Sequence, residues 1–272
     1  MNTIPKTIHF CWFGGNPLGE KELACIESWR RFLPDYKIVR WDESNFDVRS
    51  CSYVSEAFDA KKWAFVSDYA RFKILFDHGG LYFDTDVELI SPIDDIIAVG
   101  PFMGFETDCP GFGNNVDALK AAATVAAGLG LAANPGLGLY KRIIDSYSKD
   151  HFVKSDGSLD KTTVVYRVTA ILREFGLENV EGIQQVAGVH IYPSEFFNPK
   201  SFETGEINIT VNTRSIHHFS MSWFGEKDLF EHKVGKRLRN LGLPRGVVFK
   251  LCAAAEIIRF ADINRVINRL RR

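Results

Sequence analysis

The segment from Asp77 to Glu88 reads Asp-His-Gly-Gly-Leu-Tyr-Phe-Asp-Thr-Asp-Val-Glu. Its glycine pair, Gly79-Gly80, predicts a break in regular structure, and the apolar run after it predicts a short strand. Asp84 and Asp86 follow this strand directly. A spacing of two places both carboxylates on one side of an extended backbone. We therefore interpret the pair as a site for a hard divalent cation, Mg²⁺ or Mn²⁺, that leaves coordination positions for water and phosphate.

The Asp-x-Asp tripeptide has a second interpretation, because aspartate is common in surface turns. Taken alone, so short a motif indicates a turn far more often than a metal site. Two features of the surrounding sequence favour the metal. The apolar strand of residues 81–83 comes directly before the pair, and a charged helix that ends at the glycine pair precedes that strand.

The composition is that of an ordinary globular protein. The 272 residues are 46% hydrophobic and 25% charged, which suits one large domain or a domain with an appendage. The net charge of -1 gives no field that favours nucleic acid. Five cysteines form no CxxC pair, the N-terminus has no signal-peptide pattern, and no uncharged apolar run reaches about 18 residues. We expect reduced thiols, no membrane-spanning helix and a cytoplasmic location.

The first 41 residues predict a βαβ unit. Residues 6–13 alternate as a strand does, residues 20–33 have the apolar spacing of a helix, and residues 36–41 form a second strand pattern. Such a unit implies a parallel pair of strands. The turn after the first strand lacks GxGxxG, so a dinucleotide site of the Rossmann type is not supported. The predicted fold class is α/β, with a Rossmann-like mixed sheet flanked by helices.

Two further groups of residues are candidates for the site. Asp68 and Arg71 lie three apart in a segment, residues 53–76, that predicts helix, so they share one helix face. An exposed intrahelical ion pair explains them equally well. The adjacent histidines His217-His218 are more often structural than metal ligands. They become candidates because a carboxylate site often takes one further nitrogen or oxygen ligand from a distant loop.

The sequence changes character after residue 225. Residues 226–272 contain 12 Lys or Arg against five Asp or Glu, and residues 247–270 have helical apolar spacing. A basic amphipathic helix can lie on an anionic membrane, here the inner face of the cell membrane. A solvated helix packed on the domain explains the pattern equally well. We predict a first domain of residues 1–225 and a basic, mainly helical extension of residues 226–272.

Four ordered blocks resemble the DXD-containing sugar transferases of glycosyltransferase family 32. They are Ile4-Pro5-Lys6-Thr7-Ile8-His9-Phe10-Cys11-Trp12-Phe13-Gly14-Gly15, Phe65-Val66-Ser67-Asp68-Tyr69-Ala70-Arg71, Gly79-Gly80-Leu81-Tyr82-Phe83-Asp84-Thr85-Asp86, and Ile216-His217-His218 before Ser222-Trp223. That family includes bacterial capsule and lipopolysaccharide enzymes and fungal mannosyltransferases, and it is distantly similar to the glucosylating clostridial toxins. The resemblance, over residues 4–225, implies a GT-A fold, a nucleotide-sugar donor, a Mn²⁺ or Mg²⁺ ion and retention of anomeric configuration.

The resemblance also implies roles for individual residues. Phe10 and Trp12 would lie at the nucleotide, with Trp12 stacked on the base, and Asp68 and Arg71 would contact the donor sugar and ribose. Asp84 would lie near the ribose and the ion, Asp86 would be a direct metal ligand and His218 a third ligand. Ser222 and Trp223 would belong to a loop over the diphosphate. The expected catalytic residues are therefore Asp84, Asp86, Asp68 and Arg71.

The chain departs from many relatives at residues 116–138. Where they have a polar segment with His-Pro, this chain has an Ala/Gly-rich stretch and Asn134-Pro135. The stretch predicts either a close-packed helix and turn or a wall that leaves room for a second substrate. The resemblance therefore does not identify which residues of this chain contact the acceptor.

We expect transfer of a hexose from a nucleotide sugar to a hydroxyl of a growing surface polysaccharide, such as a bacterial capsule, or of a lipid-linked glycan. UDP-galactose and UDP-N-acetylglucosamine are the leading donors, and GDP-mannose also fits, since stacking on Trp12 suits every base. Two alternatives are a metal-dependent nucleotide-sugar hydrolase or phosphoesterase and a glycan-binding module without chemistry. Metallophosphoesterase sites usually hold two ions and more acids or histidines.

Overall fold

The computed structural model of the chain describes residues 3–108, 123–221 and 224–260. The chain divides into two compact units. The first comprises Met1–Pro199 and Ile209–His218, and the second comprises Lys200–Asn208 and Phe219–Arg272. The predicted division into domains of residues 1–225 and 226–272 stays a prediction.

Strands and helices are interspersed along the first unit, and the second unit contains two helices. In chain order the elements are β1 (Thr7–Cys11), α1 (Glu20–Phe32), β2 (Lys37–Trp41), α2 (Ser52–Asp59), α3 (Trp63–His78), β3 (Gly80–Tyr82), β4 (Val87–Leu89), α4 (Asp94–Val99), β5 (Phe102–Thr107), β6 (Thr124–Ala126), β7 (Leu131–Ala133), α5 (Gly138–Tyr147), α6 (Val164–Glu174), β8 (Gln184–Val186), β9 (Val189–Tyr192), α7 (Ser194–Phe197), β10 (Ser215–His217), α8 (Glu226–Asn240) and α9 (Arg245–Phe260).

A mixed sheet of eight strands forms the centre of the first unit. Seven strands have the order β2-β1-β3-β7-β5-β9-β8, and β6 pairs with β5. β1 is parallel to β2 and β3, and β5 is parallel to β9. β7 is antiparallel to both of its neighbours, β3 and β5. The carboxyl ends of β1, β3, β5 and β9 therefore lie at one edge of the sheet. The βαβ unit predicted from the first 41 residues is confirmed.

Apolar side chains cover both faces of the sheet. On one face they join α2, α3, α5 and α6, with Val66 and Phe72 fully buried. On the other face they join α1, α4 and α7, with Trp29 fully buried at the centre. Helices therefore sandwich the sheet. The predicted fold class, α/β with a mixed sheet flanked by helices, is confirmed.

The glycine pair between α3 and β3 is required by its surroundings. Gly79 ends the helix, and its N–H donates to the Leu75 carbonyl oxygen at 2.9 Å. Both glycines have positive φ, +64° and +98°. A Cβ atom on Gly79 would lie 2.6 Å from Cδ of Pro135, and one on Gly80 would lie 2.6 Å from the Thr7 carbonyl oxygen. Only glycine allows the chain to turn here and enter the sheet beside β1.

The helix-and-turn interpretation of the Ala/Gly-rich stretch is wrong over residues 124–133, which form β6, a connection and β7. β7 pairs with β3 on one side and β5 on the other, and its Ala132 and Ala133 are fully buried. Pairing on both sides overrides the helix preference of alanine. Residues 116–122 of the prediction lie outside the described residues, and the interpretation as a wall for a second substrate stays a prediction.

The second unit contains α8 and α9, which pack against each other. The rings of Phe230 and Phe260 meet edge to face, 5.5 Å between centroids. The helix predicted over residues 247–270 is confirmed as far as Phe260, beyond which the structure describes no residues. Within the described ranges no helix is long and apolar enough to cross a membrane. The four described cysteines are free thiols.

Candidate active site

The guanidinium of Arg71 lies at the centre of the candidate site. It extends from α3, and its side chain is only 4% exposed. Nη2 lies 2.9 Å from Oδ1 of Asp68, while Nη1 and Nη2 each lie 3.3 Å from a carboxylate oxygen of Asp84. Nε donates to the Ser67 carbonyl oxygen at 3.0 Å. Asp68 and Arg71 are therefore a buried pair, and Arg71 joins α3 to the segment that follows β3.

Two residues that the sequence analysis did not single out also hold Asp84. The Tyr82 hydroxyl donates to Oδ1 of Asp84 at 2.9 Å, and the Asp84 N–H donates to the Gly128 carbonyl oxygen at 3.1 Å. A Cβ atom on Gly128 would overlap Oδ2 of Asp84. Tyr82 lies two residues before Asp84, just as Asp84 lies two residues before Asp86. This spacing could have identified Tyr82 from the sequence as a neighbour of the Asp84 carboxylate. Gly128 had no such signal, because sheet pairing brings it here.

Burial controls the protonation of this cluster. It raises the pKa of Asp68 to about 6, although attraction by Arg71 opposes the shift. Burial likewise raises the pKa of Asp84, again against the attraction of Arg71. Burial would lower the pKa of Arg71, but Asp84, Tyr82 and Asp68 together raise it above its ordinary value. Arg71 therefore stays a cation between two carboxylates whose charges it partly compensates.

Asp86 contacts a histidine of β10. The Asp84 carbonyl oxygen accepts a 3.0 Å hydrogen bond from the Val87 N–H, so Asp84 to Val87 form a turn between β3 and β4. Oδ1 of Asp86 lies 3.3 Å from Nε2 of His217, and both side chains are 14% exposed. Burial alone would lower the pKa of His217, but Asp86, Asp84 and Glu106 together raise that pKa overall. The turn thus brings the Asp86 carboxylate to an imidazole of β10.

The side chain of His218 takes a different direction. Its backbone N–H donates to the Asp86 carbonyl oxygen at 2.9 Å, whereas its Nε2 lies 2.8 Å from Oε2 of Glu88. The structure therefore brings His217 to the Asp86 carboxylate, and His218 to Glu88. Side chains alternate along a strand, so two adjacent histidines cannot both face Asp86. The resemblance gave the role of third metal ligand to His218, whereas His217 is the histidine whose side chain lies at the Asp86 carboxylate.

The aromatic candidates have separate positions. Trp12 is half-buried after β1, and its Nε1 donates to the Asn16 carbonyl oxygen at 2.7 Å. Phe10 is 4% exposed and meets Trp29 edge to face, 5.9 Å between centroids. The structure thus places Phe10 in the core and does not bring it to the surface of the site. Ser222 and Trp223 lie outside the described residues.

The residues present fit a hard divalent cation. Asp84 and Asp86 offer oxygen ligands, and the histidine pair offers a nitrogen ligand. Gly128 leaves space beside Oδ2 of Asp84 that a larger residue would fill. Within the described ranges, no three Asp, Glu, His or Cys side chains already converge in a metal-binding arrangement. The two aspartates would hold the ion, and most other positions would belong to water and substrate.

The matched family model covers the carboxylate site. Residues 19–103 match the model described as the glycosyltransferase sugar-binding region containing a DXD motif. This range includes Asp68, Arg71, Asp84 and Asp86. Over these residues the chain is similar to glycosyltransferases that contain a DXD motif.

Two curated proteins of Schizosaccharomyces pombe are similar to part of the chain. Inositol phosphoceramide mannosyltransferase 1 is 27% identical over 122 residues, covering 42% of this chain and 38% of the relative. Inositol phosphoceramide mannosyltransferase 3 is 32% identical over 117 residues, covering 42% of this chain and 32% of the relative. The chain thus spans well under half the length of either relative.

Solved glycosyltransferase structures are also similar in part. PaToxG Glycosyltransferase shares 17% identity at a TM-score of 0.41, covering 63% of this chain and 69% of that one. Galactosyltransferase LgtC, solved with donor and acceptor sugar analogs, shares 14% identity at a TM-score of 0.42, covering 88% and 98%. Similarity at this level assigns neither substrate nor mechanism to the chain.

Proposed function

We propose that the chain is a retaining, metal-dependent glycosyltransferase of family 32. It moves a hexose from a nucleotide sugar to a hydroxyl of a growing surface polysaccharide or lipid-linked glycan. The observation that supports this most strongly is the two-point contact of buried Arg71 with Asp84, beside Asp86. It lies at the carboxyl edge of the parallel strands and within the range that matches the sugar-binding model.

The carboxylates and Arg71 have distinct proposed roles. Asp84 and Asp86 hold a Mn²⁺ or Mg²⁺ ion, which when bound offsets the negative charge that develops on the departing diphosphate. Asp68 and Arg71 orient the donor, so that the acceptor hydroxyl reaches its near-attack position. We assign no side chain as nucleophile, because in a retaining transfer the leaving phosphate can accept the proton of the acceptor hydroxyl.

The third metal ligand comes from the histidine pair in this proposal. The resemblance favours His218, whose imidazole would have to leave Glu88 to reach the ion. His217 already contacts Asp86. Trp12 at the nucleotide base completes the proposed donor site.

The donor is best identified by thermal shift. UDP-galactose, UDP-glucose, UDP-N-acetylglucosamine and GDP-mannose would each be tested with Mn²⁺ and with excess chelator. GDP-mannose is included because the curated relatives are named mannosyltransferases. A donor at a hundred times its Kd should add about 2.7 kcal/mol of stability. Stabilisation by a donor only with Mn²⁺ supports the proposal, and no stabilisation by any nucleotide sugar would contradict it.

Product analysis then separates transfer from hydrolysis. Free sugar would be measured with and without a glycan acceptor and with inositol phosphoceramide, the acceptor class in the relatives' names. A transferase forms a glycosidic product and releases little free sugar. Equal release of free sugar with and without acceptor would favour the nucleotide-sugar hydrolase. Absence of Mn²⁺-dependent UDP or GDP binding would favour a glycan-binding module.

A further inference from the structure

Helix α9 carries a stripe of exposed apolar side chains. Val247, Leu251, Ala254 and Ile258 are separated by four, three and four residues, so they lie on one face of the helix. Val247 and Leu251 are each 43% exposed, and Ile258 is 85% exposed. At the helical rise the stripe is about 16 Å long. We call these four residues the α9 stripe.

The stripe is not the face by which α9 packs in its unit. The buried residues of the helix are Val248, Cys252, Ala253 and Glu256, which lie on the opposite side at 100° per residue. Sγ of Cys252 contacts the Glu231 carbonyl oxygen of α8, 3.9 Å away. The helix is therefore apolar on two faces, and one of them faces solvent. A face of this kind indicates an interaction surface.

The charges of α9 indicate what covers this surface. Its cations, Arg245, Lys250 and Arg259, are all exposed, whereas its one acid, Glu256, is fully buried. Lys250 directly precedes Leu251 and lies four residues before Ala254, so it borders the stripe. The full segment of residues 226–272 has 12 basic against five acidic residues. Two such segments would repel each other, whereas an anionic surface would attract either one.

We propose that the α9 stripe, with Lys250 beside it, docks on an anionic lipid bilayer. The helix lies in the plane of the interface, its apolar side chains enter the boundary between headgroups and acyl chains, and Lys250 contacts a lipid phosphate. Arg245 and Arg259 lie away from the stripe and form ion pairs with Glu203 and Glu226. The attachment is peripheral and reversible. Membrane attachment would hold the chain at the surface where lipid-linked glycans are found. The proposed attachment does not depend on the proposed transfer reaction.

Sedimentation of the full chain with vesicles tests the proposal. Vesicles of phosphatidylcholine alone would be compared with vesicles that also contain phosphatidylglycerol. We expect binding to the anionic vesicles only, with loss of binding at high salt. The double variant Leu251→Asp/Ile258→Asp should bind at least about tenfold more weakly. Lys250→Glu should bind about fivefold more weakly.

Matched variants test whether a loss of vesicle binding is specific to the α9 stripe or is a general effect of added negative charge. Val211→Asp places a charge on a 93% exposed apolar residue of the first unit and should leave binding unchanged. Lys149→Glu, at an exposed lysine of the first unit, should also bind nearly as the wild type does. The α9 substitutions are on exposed side chains, so their melting temperatures should match the wild type.

Three results would overturn the proposal. One is that the wild type ignores anionic vesicles or binds neutral ones equally well. Another is that the Leu251→Asp/Ile258→Asp variant binds as the wild type does. The third is a dimer in lipid-free sedimentation equilibrium that this double variant dissociates, because the α9 stripe would then cover a second copy of the chain.

Discussion

Arg71 and Asp84 face each other through two contacts, Nη1 to Oδ2 and Nη2 to Oδ1, each 3.3 Å long. A guanidinium held in this way has a fixed plane, which a lysine ammonium cannot reproduce. The same guanidinium contacts Asp68, so one buried cation positions two carboxylates from different elements. The geometry of the site therefore depends on Arg71 even before any ligand binds.

Removing Arg71 should strongly destabilise the protein. Arg71→Met leaves Asp68 and Asp84 without their buried cation, and we expect a loss of about 3–5 kcal/mol in the free energy of unfolding in urea. Arg71→Lys keeps the charge without the two-point contact and should lie between the wild type and the Met variant.

The matched control for this prediction is Arg49→Met. Arg49 forms a 2.8 Å ion pair with Asp59, and both side chains are more than half exposed. Its loss should change the free energy of unfolding far less than the loss of Arg71 does, because solvent screens an exposed pair. Equal losses for the two arginines would mean that Arg71 does not hold the site together.

Gly128 should tolerate no side chain. In Gly128→Ala the new Cβ would overlap Oδ2 of Asp84, which Arg71 and Tyr82 hold in place. We expect a loss of about 1–3 kcal/mol in stability. Sugar transfer at saturating donor should slow by about tenfold or more.

Gly138→Ala is the control for the glycine prediction. Gly138 begins α5, and a Cβ there meets nothing within 4 Å. The change should stabilise the protein by about 0.4–1 kcal/mol. If both alanine variants retain wild-type transfer rates, space beside Asp84 is not required.

Much of the first unit was predictable because its signals are local. The alternation of residues 6–13 and the helical spacing of residues 20–33 each lie within one element. The Gly79-Gly80 pair also marks its helix end without any distant contact. For these reasons β1, α1, β2 and the α3–β3 junction match the prediction closely.

What the sequence did not predict depends on distant pairing. Residues 124–133 form strands because β7 pairs with β3 on one side and β5 on the other. The local pattern of alanines does not indicate these distant pairings. The placement of His217 at Asp86 depends on the register between β10 and β4, which pairs His217 with Val87. Phe10, assigned to the donor by resemblance, lies in the core because β1 is an interior strand whose two faces are both covered.

His9 should make the stability depend on pH. Nε1 of Trp41 donates to Nδ1 of His9 at 3.0 Å, so Nε2 carries the proton and donates to the Gly79 carbonyl oxygen at 3.0 Å. Burial lowers the pKa of His9 from 6.5 to about 4. The unfolded chain then binds more protons than the folded one between pH 4 and 6.5, so stability rises with pH in that window.

The measurement is urea unfolding of the wild type and His9→Gln at pH 7 and pH 4.5. On going from pH 7 to pH 4.5, the shifted pKa of His9 should lower the free energy of unfolding of the wild type by about 2 kcal/mol. His9→Gln should lack this loss. A His9→Gln profile parallel to that of the wild type would show that His9 is not buried in its neutral form.

Substitution of Asp86 is the decisive test of whether a metal ion held at the carboxylate pair drives sugar transfer. The measurement is the rate of sugar transfer by Asp86→Asn, at saturating donor and Mn²⁺, beside the wild type and the exposed control Asp35→Asn. We expect a loss of about 10²-fold or more for Asp86→Asn and none for Asp35→Asn. A wild-type rate in Asp86→Asn that still requires the metal would contradict this expectation, as would wild-type transfer at full rate in excess chelator.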